Sequence, residues 1–554
     1  MVNVPAYQLR AAELVAARDA QIPEALRLDP SQIPHNPSKL YRKVLSPREV
    51  DIVELDVTGL AGAIAKKQYT ASEVTEAYLK SAAAAHSATN CLAWFDVDAA
   101  RERAKWLDDE MEKNGVVGPL HGVPMSVKDF MCVKGFPQSS GHLSSAGHVP
   151  KEDADMTAIF RAAGVVFFAK TTQPQSIMHL ETSNFYGTTT NSHNHDLTSG
   201  GSSGGEGALV GCRGSPIGIT TDVGGSTRNP AAFNGLWGFK PTCRRVPRDG
   251  MLGLTAHSRI MGAIGPVCHS KRDLDLFYRV LFDTPTWQRD IKLVPLGWRD
   301  VNSEGQGAGF NGWSGAGNKL RIGVMRDDGV VRPVKPIRRA IEAVVVKLGS
   351  AGDVELVEFP AKWFEEGWAI TNQLYYVDGA KKLRDALGDE PMRPLTEWIT
   401  SKVSQNLSRE QVDDLIARRN EIRQMYYDYF NSLNLDVILS PAGPAPAQPV
   451  GTTKWWAYTS MWNMMDWPAA VFPTGLFVDD GDTEVFPEPK NEHERHLYDT
   501  CEFWVGYSPR REAESQDSAE VARGSPVGLQ LIAPRWQDER LLAALEKIDR
   551  VLPL

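Results

Sequence analysis

The sequence predicts an α/β protein in which a central sheet is sandwiched between layers of helices. Gly164–Lys170 is apolar on both faces, as in a strand that is fully buried. A strand–helix–strand unit follows, with strands predicted over Leu320–Met325 and Val354–Phe359. Between them, apolar residues recur on one helical face, with Pro336 in the first turn and Gly349 as a stop. Such alternation predicts a sheet with helices on both faces.

Composition and charge are those of an ordinary globular protein. The chain has 554 residues, of which 42% are hydrophobic and 23% charged, as in typical soluble domains. Acidic residues outnumber basic ones by 69 to 60, which gives a formal net charge of -9. Because nucleic-acid binding depends on basic surfaces, no nucleic-acid partner is predicted.

The sequence predicts a cytoplasmic protein without a transmembrane segment. Its six cysteines are scattered and lack the dense spacing of a disulfide framework. The N-terminus has no basic stretch followed by an apolar run, so no signal peptide is predicted. No apolar stretch reaches the roughly 20 residues that cross a bilayer. The sequence does not fix the oligomeric state, and a homodimer is left open.

Two stretches interrupt the regular pattern of the chain. The Gly-rich stretch 298–318 and the acidic, proline-bearing stretch 478–523 lack periodicity and are predicted to be inserted surface loops. Residues 1–54 are predicted to form a helical segment that packs on the core. Residues 55–554 are then expected to form one domain that contains both loops.

Residues 200–228 contain two glycine–serine runs that indicate a functional site rather than a flexible linker. A flexible linker is the ordinary reading of such runs, but here they flank Ile217–Thr221, which has the pattern of a buried strand. A phosphate-binding loop needs a lysine followed by serine or threonine, whereas Lys240 is followed by Pro241. The glycine order of a dinucleotide-binding loop is also missing.

A serine hydrolase fits the second run, Val223–Ser226. A serine hydroxyl becomes a nucleophile when a neighbouring base takes its proton, and adjacent glycines let backbone N–H groups face the substrate oxygen. No Gly-x-Ser-x-Gly elbow surrounds Ser226, and no histidine is placed by the sequence to act as its base. Lys128 is a candidate base if its surroundings keep it neutral. A lone lysine is more often a solvated surface residue, and the residues alone leave both readings open.

Two of the 12 histidines, His193 and His195, are separated by one residue. Metal ligation by this pair needs further ligands that the sequence does not offer convincingly. Histidines in a surface loop are the commoner case, so no metal is predicted.

Several motifs resemble those of the amidase signature family. Residues 200–228 match its signature nearly residue for residue, Gly118–Asp129 its lysine segment, and Asn234–Thr242 the segment after the nucleophile. C-terminal matches lie at Ser440–Pro441, Trp467–Ala469 and Pro526–Gln530. The chain is most similar to the fungal acetamidase or general amidase branch, and across the signature it is also similar to fatty acid amide hydrolase. The resemblance implies a single large α/β/α domain with a mixed, mostly parallel central sheet.

The resemblance also implies a catalytic triad. Ser226 would be the nucleophile, Ser202 the bridging serine and Lys128 the base. In this family the peptide bond before the bridging serine is cis, which here is the bond between Gly201 and Ser202.

Other motif positions are expected to support this triad. The backbone amides from Val223 to Ser226, including those of Gly224 and Gly225, would form the oxyanion hole. Asp222 and Arg228 would brace the loop as an ion pair, with Gly201 and Ser203 as further supporting positions. A weaker alignment places the acyl pocket at Ile177, Met178, His179 and Leu180, all of which could equally be core residues.

The function implied by the resemblance is hydrolysis of a small-molecule carboxamide to a carboxylate and an amine or ammonia through an acyl-enzyme. This mechanism needs neither a metal nor an organic cofactor. An enzyme that forms amides or transfers acyl groups to an amine is an open alternative. An amidase subunit of a tRNA-dependent amidotransferase would need partner subunits, and the fungal-like C-terminal half and the insertions argue against it. A non-catalytic binding protein with this fold is disfavoured because Lys128, Ser202 and Ser226 are all present.

Overall fold

A sheet of 11 strands forms the centre of the structure, a computed structural model that describes residues 4–175, 177–251, 259–288, 290–403, 405–501 and 522–553. The strands, including those of two small two-stranded ladders, are β1 (Leu92–Phe95), β2 (Pro124–Lys128), β3 (Val166–Thr171), β4 (Ser183–Asn184), β5 (Gly187–Thr188), β6 (Ile217–Asp222), β7 (Trp237–Lys240), β8 (Ala263–Cys268), β9 (Gln306–Gly307), β10 (Phe310–Asn311), β11 (Leu320–Val324), β12 (Val354–Glu358), β13 (Val437–Pro441), β14 (Ala469–Phe477) and β15 (Pro526–Ile532).

Helices cover this sheet. They are α1 (Ala6–Asp19), α2 (Tyr41–Val44), α3 (Pro47–Glu54), α4 (Val57–Ala65), α5 (Ala71–Thr89), α6 (Val97–Asn114), α7 (Asp155–Ala162), α8 (Gly204–Gly211), α9 (Arg228–Phe233), α10 (Lys271–Phe282), α11 (Lys335–Gly349), α12 (Phe364–Tyr375), α13 (Lys381–Leu387), α14 (Pro394–Ser401), α15 (Arg409–Ser432), α16 (Ala457–Met465), α17 (Glu492–Cys501) and α18 (Asp538–Asp549). Every helix in the described ranges is too short or too polar to cross a bilayer.

The strand order across the large sheet is β1-β3-β2-β6-β8-β7-β14-β15-β13-β11-β12. Parallel pairing joins β2 to β3 and β6, and β11 to β12 and β13. The other neighbouring strands pair antiparallel. The predicted α/β fold with a mixed sheet is confirmed, but its expected mostly parallel character needs correction. Parallel neighbours need a crossover connection, which α7 and α11 supply. At the centre of the sheet, β8 and β14 instead run antiparallel to both of their neighbouring strands.

Local sequence signals account for several element boundaries. Thr70 and Glu73 have capping-box spacing, and each side chain accepts a hydrogen bond from the other residue's N–H at the start of α5. As predicted, α11 has Pro336 in its first turn and ends at Gly349. Strand β3 begins two residues later than predicted, because Gly164 has a φ of +99° and belongs to the preceding turn.

One hydrophobic core joins the two halves of the chain. The largest cluster of buried apolar side chains extends from Tyr41 to Ile548 and includes residues on both sides of the stretch 298–318. That stretch contains the short strands β9 and β10. The stretch 478–523 is not all loop, because α17 lies within it and buries Leu497 and Cys501; residues 502–521 lie outside the described residues. The division of the chain at residue 54 stays a prediction.

The pairing of β2 with β6 brings the predicted base to the predicted nucleophile loop. In this parallel pair Ser126 lies opposite Gly218 and Val127 opposite Ile219. Parallel neighbours end at the same edge of a sheet, so Lys128 at the end of β2 comes close to the end of β6. The loop of residues 223–227 leaves β6 at that edge and leads into α9.

Candidate active site

Lys128 is fully buried at the end of β2, where its amine contacts hydroxyl groups. Its Nζ donates a hydrogen bond of 2.7 Å to Ser202 Oγ and one of 3.2 Å to Thr221 Oγ1. Burial lowers the pKa of Lys128 well below its usual value, because the charged amine loses its hydration. The negative charges of Asp222 and Glu206 act on this pKa in the opposite direction but do not outweigh burial.

Two carboxyl groups raise the pKa of Lys128, but one is paired with an arginine and the other is itself raised in pKa by burial. Arg228 binds Asp222 through Nε–Oδ2 and Nη2–Oδ1 contacts of 2.9 and 3.0 Å, and both side chains have no exposed surface. Burial alone would raise the pKa of Asp222, but the charge and hydrogen bonds of Arg228 lower it. Burial raises the pKa of Glu206 to about 8, so that at neutral pH this carboxyl is mostly protonated. Burial therefore outweighs both groups in its effect on the pKa of Lys128.

Ser202 and Ser226 lie on two segments that are joined through the backbone. The peptide bond between Gly201 and Ser202 is cis, as the family resemblance implied. The N–H of Ser203 donates a 3.2 Å hydrogen bond to the carbonyl of Ser226. The Ser226 side chain is 4% exposed, and within the described ranges its hydroxyl makes no hydrogen bond. The Lys128–Ser202 contact is thus formed and a Ser202–Ser226 hydrogen bond is not; in ligand-free sites such bonds are often long and tighten with substrate.

The loop that leaves β6 is fixed through its carbonyl oxygens. Tyr375 Oη donates to the Val223 carbonyl at 2.9 Å, and Thr459 Oγ1 donates to the Gly224 carbonyl at 2.7 Å. A Cβ on Gly224 would lie 2.4 Å from Tyr375 Oη, and one on Gly225 would lie 2.2 Å from Thr459 Oγ1. Both glycines are therefore required by the close approach of these two anchors.

The backbone amides of this loop differ in their availability to a substrate. The N–H of Gly225 donates to Asp222 Oδ1 at 2.8 Å, so it holds the loop. The N–H groups of Val223, Gly224 and Ser226 have no acceptor in the part of the chain that the structure describes. Of the four backbone amides expected to form the oxyanion hole, three are therefore free to donate to a substrate.

A cavity opens beside Ser202 and Val223. Its volume, counted out to the mouth and including open solvent, is about 540 Å³. The walls are mostly apolar, with one guanidinium, and consist of Phe130, Ile177, Ser202, Thr221, Asp222, Val223, Arg248, Met251, Ile260, Met261, Gly262 and Ala263.

Comparison with known proteins identifies the family. A family model described as Amidase matches residues 73–542. The chain belongs to the amidase family. An amidase of Gibberella zeae is 33% identical over 528 residues and 92% of each chain. An acetamidase of Emericella nidulans is 32% identical over 520 residues, covering 92% of this chain and 91% of that protein.

The same relationship holds in three dimensions. A solved structure of fatty acid amide hydrolase matches this amidase with a TM-score of 0.89 and 31% identity, covering 99% of this chain and 95% of that one. The predicted membership of the family, with its similarity to fungal amidases and to fatty acid amide hydrolase, is confirmed.

Of the four residues expected in the acyl pocket, only Ile177 lines the cavity. Met178 and Leu180 belong to the hydrophobic core. His179 is buried with its Nε2 3.4 Å from Thr396 Oγ1, and burial lowers its pKa to about 4. The last three residues of the predicted group therefore pack in the interior and do not line this cavity.

The two histidines considered as metal ligands have separate neighbours. His193 Nδ1 lies 3.0 Å from Ser192 Oγ, while His195 stacks on His35 with ring centroids 6.1 Å apart. Among the described residues, no group of three or more His, Cys, Asp or Glu side chains is arranged to hold a metal ion.

Sequence reasoning missed the residues that fix the signature loop from a distance. Asn463 donates to Asp222 Oδ1 at 2.9 Å and accepts from Arg228 Nη2 at 2.7 Å. Gln530, in one of the C-terminal family segments, accepts from Arg228 Nη1 at 3.2 Å. The match at Gln530 was a signal for such a contact, whereas Asn463 on α16 has no local motif that would reveal it.

The buried ion pair allows a stability prediction. Asp222→Asn should lower the free energy of unfolding by about 3–5 kcal/mol, because it leaves the Arg228 charge buried without a partner. The matched control is Glu76→Gln, which breaks the exposed pair of Glu76 with Arg101 (side chains 39% and 46% exposed) and should cost less than about 1 kcal/mol. Denaturant unfolding monitored by tryptophan fluorescence measures both. Unchanged stability of Asp222→Asn would contradict a structural role for this pair.

Proposed function

We propose that this amidase hydrolyses carboxamides with Ser226 as nucleophile, Ser202 as proton bridge and Lys128 as base. The observation that supports this most strongly is the 2.7 Å hydrogen bond between Lys128 Nζ and Ser202 Oγ in a fully buried setting. A buried lysine without an ion-pair partner among the described residues gives up its proton more readily than a solvated one. The neutral amine can then accept the proton of Ser202.

Acylation begins with two proton transfers. Neutral Lys128 takes the hydroxyl proton of Ser202, and Ser202 takes that of Ser226 as the Ser226 oxygen attacks the amide carbonyl. The C=O bond becomes a single bond to an oxyanion, which the free amides of Val223, Gly224 and Ser226 stabilise. Donors of this kind are each worth about 3–4 kcal/mol in a comparable hydrolase.

The proton then returns along the same path. Lys128, now charged in a buried site, passes a proton through Ser202 to the leaving nitrogen, so the amine departs neutral and the Ser226 ester remains. Water attacks this acyl-enzyme with the same base, and the carboxylate is released. The base and the nucleophile both come from the chain, so these steps require no organic cofactor.

We also propose a cytoplasmic location. The support is the state of the six cysteines, all of which are free thiols, five of them buried. Unpaired cysteines throughout a chain are typical of reducing compartments.

Removal of the nucleophile is the first test. Ser226→Ala should lower kcat by roughly a millionfold, as in other serine hydrolases, while the protein stays folded. The matched control is Ser87→Ala, which removes a hydroxyl whose one hydrogen bond among the described residues goes to the Ala83 carbonyl within α5. Turnover of a carboxamide panel and circular dichroism of both variants provide the readout. A folded Ser226→Ala protein with more than about a hundredth of wild-type activity would exclude Ser226 as the nucleophile.

Loss of the base should affect amides more than esters. Lys128→Met keeps the buried volume filled but cannot protonate the leaving group, and an amine leaves poorly unless it is protonated whereas an alkoxide leaves more readily. The ratio of amide to ester kcat/KM should therefore fall for matched substrates. In the wild type, kcat/KM should rise with pH as Lys128 loses its proton, at a pH below about 10.4, and this limb should shift or vanish in the variant. Equal loss on both substrates with an unchanged pH profile would rule out Lys128 as the base.

A further inference from the structure

Arg248 is a cation on the cavity wall that has no hydrogen-bond or ion-pair partner among the described residues. The side chain is partly buried and lines the cavity together with Ser202 and Val223. Its Nη2 lies beside Gly262, 3.7 Å from where a Cβ on that glycine would be. In the described ranges its guanidinium makes no hydrogen bond and no ion pair. The adjacent carboxylate, Asp249, is exposed and forms an ion pair with Lys292.

Among the described residues, the charged side chains on the cavity wall do not compensate Arg248. The acidic side chain on the cavity wall is Asp222, and its charge is neutralised by the bidentate contact with Arg228. Lys128 is neutral in the working enzyme under the proposed mechanism. The described residues therefore leave one positive charge on the cavity wall, and a guanidinium that is partly removed from water without a partner is costly unless an anion joins it.

We propose that Arg248 binds a carboxylate of the substrate, so that the enzyme acts on amides that also have a carboxylate a few atoms from the scissile carbonyl. This inference rests on the proposed function and assigns its substrate class. A guanidinium presents a planar fork of donors that matches a carboxylate in a bidentate manner. The apolar walls formed by Phe130, Ile177 and Met251 suit the hydrocarbon between the two groups.

The carboxylate can belong to either half of the amide, and matched substrates separate the two cases. Succinamic acid and butyramide differ by a carboxylate in place of a methyl group on the acyl side. N-acetyl-β-alanine and N-propylacetamide differ in the same way on the amine side. We expect wild-type kcat/KM to favour the carboxylate member of at least one pair by roughly 10- to 100-fold, as a charge-assisted hydrogen bond of this kind implies.

Three variants test the assignment to Arg248. Arg248→Met should reduce the preference for the carboxylate substrate to about one, chiefly through KM, and Arg248→Lys should keep part of it because the charge remains without the fork. Arg244→Met is the matched control, because Arg244 is exposed in the same segment and does not line the cavity; it should keep the wild-type preference. Thermal unfolding of each variant confirms folding.

A binding measurement gives a second readout that does not depend on turnover. Calorimetric titration of Ser226→Ala with succinamate or N-acetyl-β-alanine should show binding. In the double variant Ser226→Ala/Arg248→Met, the Kd should rise by at least about tenfold. If the wild type hydrolyses amides without preferring either carboxylate member, or if Arg248→Met keeps the preference and the binding, the inference is overturned while the proposed function stands. If no amide is hydrolysed and a fluorophosphonate probe does not label Ser226, the proposed function fails and the inference fails with it.

Discussion

The site depends on the burial of Lys128 among hydroxyl groups. A charged amine in such a position would cost several kcal/mol without an ion-pair partner, and its contacts with Ser202 and Thr221 supply only neutral acceptors. The cost is avoided when the lysine releases its proton, which is the state that a general base needs. The parallel pairing of β2 with β6 makes this arrangement possible, because it brings the end of the lysine strand to the signature loop.

The surrounding carboxyl groups oppose this neutral state less strongly than burial favours it. Asp222 would favour a charged lysine, but Arg228 and Asn463 both bind its carboxylate, and its Oδ1 also accepts the Gly225 amide. One carboxylate thus fixes the loop that contains Ser226 and is itself compensated. Burial raises the pKa of Glu206 to about 8, which removes a second negative charge near the lysine at neutral pH. The loop that contains Ser226 and the neutral state of Lys128 therefore depend on separate interactions.

The sequence predicted what depends on local spacing and on long motifs. The capping box at Thr70, the unit from β11 to β12 and the placement of Lys128 beside Ser202 belong to this group. It did not predict the antiparallel centre of the sheet, since strand direction depends on pairing between segments distant in the chain. The anchors Tyr375 and Thr459 were missed for the same reason, because α12 and α16 reach the signature loop only in the folded structure.

The central claim is that Ser226 is activated by neutral Lys128 through Ser202, and the rate at which a fluorophosphonate labels Ser226 tests it most directly. This reaction needs nucleophile activation but no departing amine, so it isolates the first proton transfers. The labelling rate should rise with pH along one ionisation well below about 10.4, the usual value for lysine, and Lys128→Met should label slowly with no such dependence. A rate that is the same in Lys128→Met and in the wild type at every pH would contradict the account.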